Sequence, residues 1–262
     1  MSINKLLSPT NGKNSYIIGA EWGQGRTAFG GATAAVMCHL VTQQPSPERN
    51  MISFSVTFCA PVTVESEIEI EVEALRRGKT LEQYSVRAMQ DGELRAHAIA
   101  VFAGTVNSAI KISAETAPLR PNDIAIPEQR LAVGLNPRFE ANFDYRFYKG
   151  GPLYSGSTDR EHLVGISFKK PPSNRGLAHL VCLMDACPPT PAQQLSEYHP
   201  LSTVVWNMHF LPCAKHFDLA QGIIMSSYGE VGIDGAHYLN ERVWSHAGLP
   251  LAFSTQSVMI FG

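Results

Sequence analysis

The chain has 262 residues, enough for one large domain or two small ones. Apolar residues make up 44% and charged residues 17%, which excludes wholesale disorder. The formal net charge of −2 gives no compositional case for a nucleic-acid partner, and no apolar run reaches the ~18 residues of a membrane span.

The first elements are a short apolar run (Tyr16-Ile17-Ile18) and a helix after Gly30-Gly31, carried by Ala34, Val36, Met37, Leu40 and Val41 and stopped by Pro45 and Pro47. From Met51 to Gly104 the period is two. Ile52, Phe54, Val56 and Phe58 are expected to share one face. Ile68, Ile70 and Val72 alternate with Glu67, Glu69, Glu71 and Glu73, the pattern of a half-buried antiparallel strand. Arg76-Arg77-Gly78-Lys79 turns the chain. The runs 81–89 and 94–102 flank Asp91-Gly92, a strong hairpin signal. Residues 105–140, with prolines at 118, 121, 127 and 137, read as a linker.

The order then repeats. Strands are expected at 143–148 and 164–168, a helix at 176–185 closed by Pro188-Pro189, a strand at 202–210, and a second meander over 222–262. Gly78, Val86, Gly92 and Ala96 find counterparts in Gly235, Val243, Gly248 and Ala252, and Gly31 and Val36 in Gly176 and Val181. Two copies of one unit, a long antiparallel sheet with one helix on it, make a pseudo-dimer.

Several motifs carry little. Gly23-Gln24-Gly25-Arg26-Thr27-Ala28, with Glu48 downstream, imitates a dinucleotide fingerprint, but an antiparallel meander follows it and not a parallel crossover unit. No G-x-S-x-G elbow occurs, and no H-x-x-x-H spacing falls on a plausible helix, so neither a serine nucleophile nor a metal site is expected. The five cysteines (38, 59, 182, 187, 213) include no C-x-x-C and read as free thiols. The start lacks an apolar signal core, and the end, Ile260-Phe261-Gly262, is not a peroxisomal address, so a cytoplasmic protein is expected.

Asp185 stands out. Leu177, Leu180, Val181 and Met184 form the buried stripe of the second helix, and Asp185 lies along its edge in the last turn, where the helix dipole opposes a negative charge. A residue that costs stability there suggests function; the structural alternative is a cap into Pro188-Pro189. The first copy has Leu40 at this register, so one chemical site per chain is expected. Thr203, at the start of a strand, and Gln256, interrupting the apolar strand 251–261, are polar groups that could converge on Asp185 and orient a water.

Phe29-Gly30-Gly31, Leu183-Met184-Asp185, Ser202-Thr203, Trp244 with Gly248, and Ser254-Thr255-Gln256 resemble the acyl-CoA thioesterase II (TesB-like) family over nearly the whole chain. The resemblance implies an α+β double hotdog, two antiparallel sheets each wrapped around a central helix, with units at 1–104 and 141–262. It implies a hydrolase of fatty-acyl metabolism in which Asp185, Thr203 and Gln256 activate a water against a thioester of coenzyme A or an acyl carrier. No cofactor is implied, and assembly through sheet edges into a homo-oligomer is expected. The developing oxyanion needs donors, for which the backbone at Gly30-Gly31, opening a helix, is the candidate. This chain departs from the family at Val205-Trp206, where members carry Asp-His, and at Gln256-Ser257-Val258, where members often carry Gln-Glu-Gly. The alternatives are an acyl- or polyketide-binding protein without chemistry, and a hydratase or dehydratase. For the latter, His179 and Asp185 are spaced onto different helix faces.

Overall fold

The computed structural model describes residues 2–118, 137–151, 153–173, 176–215 and 220–261. The first half runs α1 (Ile3–Leu6), β1 (Ser15–Ile17), β2 (Gly23–Gln24), β3 (Thr27–Ala28), α2 (Gly30–Val41), β4 (Asn50–Phe58), β5 (Glu67–Arg77), β6 (Leu81–Gln90) and β7 (Glu93–Ala103). The second half runs β8 (Phe143–Lys149), β9 (Glu161–Phe168), α3 (Leu177–Asp185), β10 (Leu201–Phe210), β11 (Ile223–Ile233), β12 (Ala236–Ser245) and β13 (Pro250–Ile260). Part of the expected linker, 119–136, lies outside the described residues. Its near end reaches the second half, where Trp244 Nε1 donates to Glu115 O at 2.9 Å and Ala117 N to Gly248 O at 3.2 Å.

The two expected sheets are one. Eleven strands follow the order β1-β5-β6-β7-β4-β10-β13-β12-β11-β9-β8, because β4 and β10 pair antiparallel and close each other's edge. An unpaired edge strand presents free N–H and C=O groups, and this pairing satisfies both rows at once. Nearly every residue of α2 is buried, its alanines included, so α2 lies in the interior between sheet and α3. The dinucleotide-like segment 23–28 is the antiparallel hairpin β2–β3, with Gly25 at φ +70° in its turn. Asp91 and Gly92 both have positive φ (54° and 77°), as the two-residue hairpin requires, and Asp234-Gly235 repeats the device (51° and 79°).

Bulges mark the duplication. One lies between Met51 and Ser53 in β4 and its counterpart between Thr203 and Val205 in β10. The β5–β6 ladder shifts at Ala74/Arg76 and β11–β12 at Gly229/Val231; β6–β7 shifts at Ala88/Met89 and β12–β13 at Val243/Trp244. Matching these bulges equates Ala96 with Ala252, as expected, but sets Val243 against Ala88 and Glu241 against Val86, correcting the Val86–Val243 match. The β4 bulge also breaks the expected face. Met51 turns in and Ile52, 40% exposed, turns out, because one extra residue reverses the alternation.

Candidate active site

α2 and α3 pack antiparallel, so the C-terminal end of α3 meets the N-terminal end of α2. This reverses the expected electrostatics of Asp185. Although it closes α3, its carboxylate accepts the backbone N–H of Gly31 and sits at the positive end of α2, whose own preceding residue, Phe29, supplies no side-chain cap. The approach demands glycine. A Cβ on Gly30 would lie 3.0 Å from Asp185 Oδ2, and one on Gly31 would lie 2.7 Å from Asp185 Cβ and 2.5 Å from the Phe29 ring. Gly31, expected to aim its N–H at a substrate oxygen, aims it at Asp185 instead.

The three separated residues meet. Gln256 Nε2 donates to Asp185 Oδ1 at 3.4 Å, and Thr203 Oγ1 donates to Gln256 Oε1 at 3.2 Å. The amide is thereby oriented by both neighbours. Gln256 faces inward and is 5% exposed. Thr203 reaches it through the β10 bulge. The inward residues of β10 are Trp206, Met208 and Phe210, and the extra residue at Val204 turns Thr203 to their face. Protein atoms surround the Asp185 carboxyl, yet the residue keeps some accessible surface. Burial pushes its pKa up to about 6, against the lowering effect of the Gly31 and Gln256 hydrogen bonds.

Tyr145 on β8 stacks on Phe147 with ring centroids 6.3 Å apart. Its hydroxyl is buried and has no hydrogen-bond partner among the described residues, and it lies within electrostatic reach of Glu140, Cys187, Cys182 and Asp185. Burial above all holds its pKa far above the ordinary tyrosine value, so the group stays an O–H donor. Glu140 is raised to about 7 by burial. His179 does not join the site. It occupies the first turn of α3, edge-on to Phe168 at 6.4 Å, and burial lowers its pKa to about 4.

Residues 18–103 match the model of the acyl-CoA thioesterase N-terminal domain, and residues 114–260 that of the C-terminal domain. The chain belongs to the acyl-CoA thioesterase family. No curated protein matches it. Among solved structures it is similar to a conserved protein with a hot dog fold from Alicyclobacillus acidocaldarius (22% identity, 99% and 98% of the two chains covered, TM-score 0.85). It is also similar to acyl-CoA thioesterase II TesB2 from Mycobacterium marinum (16%, 99% and 98%, 0.73) and to a tesB protein of Mycobacterium avium subs paratuberculosis (13%, 99% and 98%, 0.74). These likenesses establish the hotdog fold.

In this thioesterase-family chain, one buried feature was missed from sequence. His162, Ser227, Glu241 and Ser254 stand directly opposite one another across β9, β11, β12 and β13. All four are buried, Glu241 at 4% exposure. Ser254 Oγ donates to Glu241 Oε2 at 2.5 Å, and Thr190 Oγ1 donates to Ser227 Oγ at 2.9 Å. Burial raises the Glu241 pKa to about 7, with Ser254 opposing and the Asp185 charge adding to the rise. The bulge-matched residues of the first half are Val72, Val86 and Ala98, an ordinary apolar row. The signal was present in the sequence: Glu241 has the same parity as Leu239 and Val243, both buried.

Proposed function

We propose that the chain hydrolyses acyl thioesters carried by coenzyme A or an acyl carrier protein. On this reading it is a double hotdog with units at 1–104 and 141–262, residues 105–140 between them, and one active site, in the second half. The observation that carries the proposal is the Gln256 amide bridging Thr203 and Asp185 at the N-terminus of α2. A buried carboxylate with a raised pKa, flanked by an oriented amide and a hydroxyl, is suited to hold a water and take its proton near neutral pH.

The water oxygen bonds to the thioester carbonyl carbon while its proton passes to Asp185. The tetrahedral oxyanion collapses, the C–S bond breaks, and the proton passes from Asp185 to the departing sulfur, leaving an acid and a thiol. Gly30 and Gly31 bring the positive end of α2 against the site. With the Gly31 N–H engaged by Asp185, the Tyr145 O–H is the donor for the carbonyl oxygen, an acceptor that arrives with the substrate and satisfies a hydroxyl otherwise buried without a partner among the described residues.

Tyr145→Phe is expected to lower kcat about tenfold, the worth of one net hydrogen bond, while leaving the thermal midpoint unchanged or raised. Steady-state kinetics and calorimetry check this. The proposal itself is tested by incubating the protein with acyl-CoAs of several chain lengths and measuring free thiol. Equimolar thiol and acid over many turnovers is the expected result. Binding without thiol release would make the protein an acyl carrier, and water addition to an enoyl thioester would make it a hydratase.

A further inference from the structure

The duplication gives the Asp185 site a mate. The C-terminal end of α2 meets the N-terminal end of α3 as the other two ends meet at Asp185. There the structure has an open cavity of about 260 Å³, its walls including Thr42, Met51, Phe102, Leu177 and Leu211. Met51 holds the bulge position that Thr203 holds in the second half. Phe54, three residues on, pairs with Ala100 as Trp206 pairs with Gln256. Gly176 precedes α3 as Gly31 opens α2, and the same helix register sets Leu40 at the Asp185 position. The acid, hydroxyl and amide are thus replaced by Leu40, Met51 and Ala100, all apolar, and at this end a cavity lies between the helix ends and the sheet.

The cavity is open to solvent and is floored by Met51 and Phe102, which are 3% and 2% exposed. Among the described residues, its lining offers no unpaired charge to a ligand. Arg49 on its wall spends its guanidinium on Glu82 and on the carbonyls of Gly78, Lys79 and Thr80.

We infer that this cleft is a second acyl-thioester site that binds without hydrolysing, with the acyl chain against Met51, Phe102 and Leu177. The inference rests on the thioester-hydrolase reading for the class of ligand. Among the described residues, the lining holds no group that could activate water, so a bound thioester there is an occupant and not a substrate.

The test is isothermal titration calorimetry with an S-alkyl-CoA thioether, which cannot be hydrolysed, beside a thiol-release assay on the matching acyl-CoA. Wild type is expected to bind two equivalents per chain. Met51→Trp, which fills the floor, and Leu211→Trp, which fills the rim and keeps the test valid should the first variant fold poorly, are each expected to bind one, with kcat within about twofold of wild type. One equivalent in wild type that survives both substitutions overturns the second site and leaves the hydrolase reading standing. No binding and no thiol release overturns both.

Discussion

Asp185→Asn is expected to lower kcat for thioester hydrolysis by about 10²–10⁴, the range of a positioned general base. The amide keeps the size of the side chain and one acceptor oxygen for Gly31 or Gln256, so the fold is expected to survive. What is lost is the proton acceptor. The stability effect has the opposite sign. A carboxyl whose folded pKa is about 6, against an ordinary 3.8, is held more easily protonated than ionised. It costs stability progressively as pH rises from about 4 to about 6, and asparagine does not carry that cost. A less active and more heat-resistant variant at pH 7 is therefore expected. In the wild type kcat is expected to rise with pH through about 6, because only the ionised carboxylate accepts a proton. Thiol-release kinetics between pH 4.5 and 8 check both statements.

Glu241→Gln is expected to stabilise the protein increasingly as pH rises. The group shifts from an ordinary 4.5 to about 7 in the fold. Between those values the folded state holds a proton that the unfolded state has released. Wild-type stability from this residue therefore falls across the window and levels above it. Glutamine does not titrate, so the variant's advantage grows from near zero at pH 4.5 to roughly 3 kcal/mol above pH 7. His179, lowered to about 4, acts on the wild type in the opposite direction, since only its unfolded form is protonated between about 4 and 6.5. The difference between the two proteins cancels that contribution. Urea unfolding of both at pH 4.5 and 7.5 measures it, and a difference that does not change with pH would return Glu241 to an ordinary surface-like titration.

Why some of this was legible in sequence and some not follows from the physics of each element. Asp185 was legible because the apolar stripe of α3 fixes which side of the helix it borders, and Gln256 because it interrupts an apolar strand. The Asp91-Gly92 turn was legible because few residues tolerate two successive positive φ angles. The inward turn of Thr203 was not, because a bulge reverses strand parity and leaves no mark in composition. The same device hid the exposure of Ile52. The favourable electrostatics of Asp185 were illegible for another reason. The sequence places it at the wrong end of its own helix, and only packing reveals that it stands at the right end of another. The joining of two sheets into one depended likewise on a long-range pairing of β4 with β10 that local patterns do not encode.

On the proposed mechanism Asp185 holds a water and does not itself attack the thioester. A single-turnover reaction in ¹⁸O-labelled water, with enzyme in excess over acyl-CoA, tests it most directly. Thiol release with one ¹⁸O in the acid product and none in the peptide containing Asp185 is the expected result. Unlabelled acid with ¹⁸O in the Asp185 carboxyl, the mark of a covalent anhydride, or no thiol at all, would contradict it.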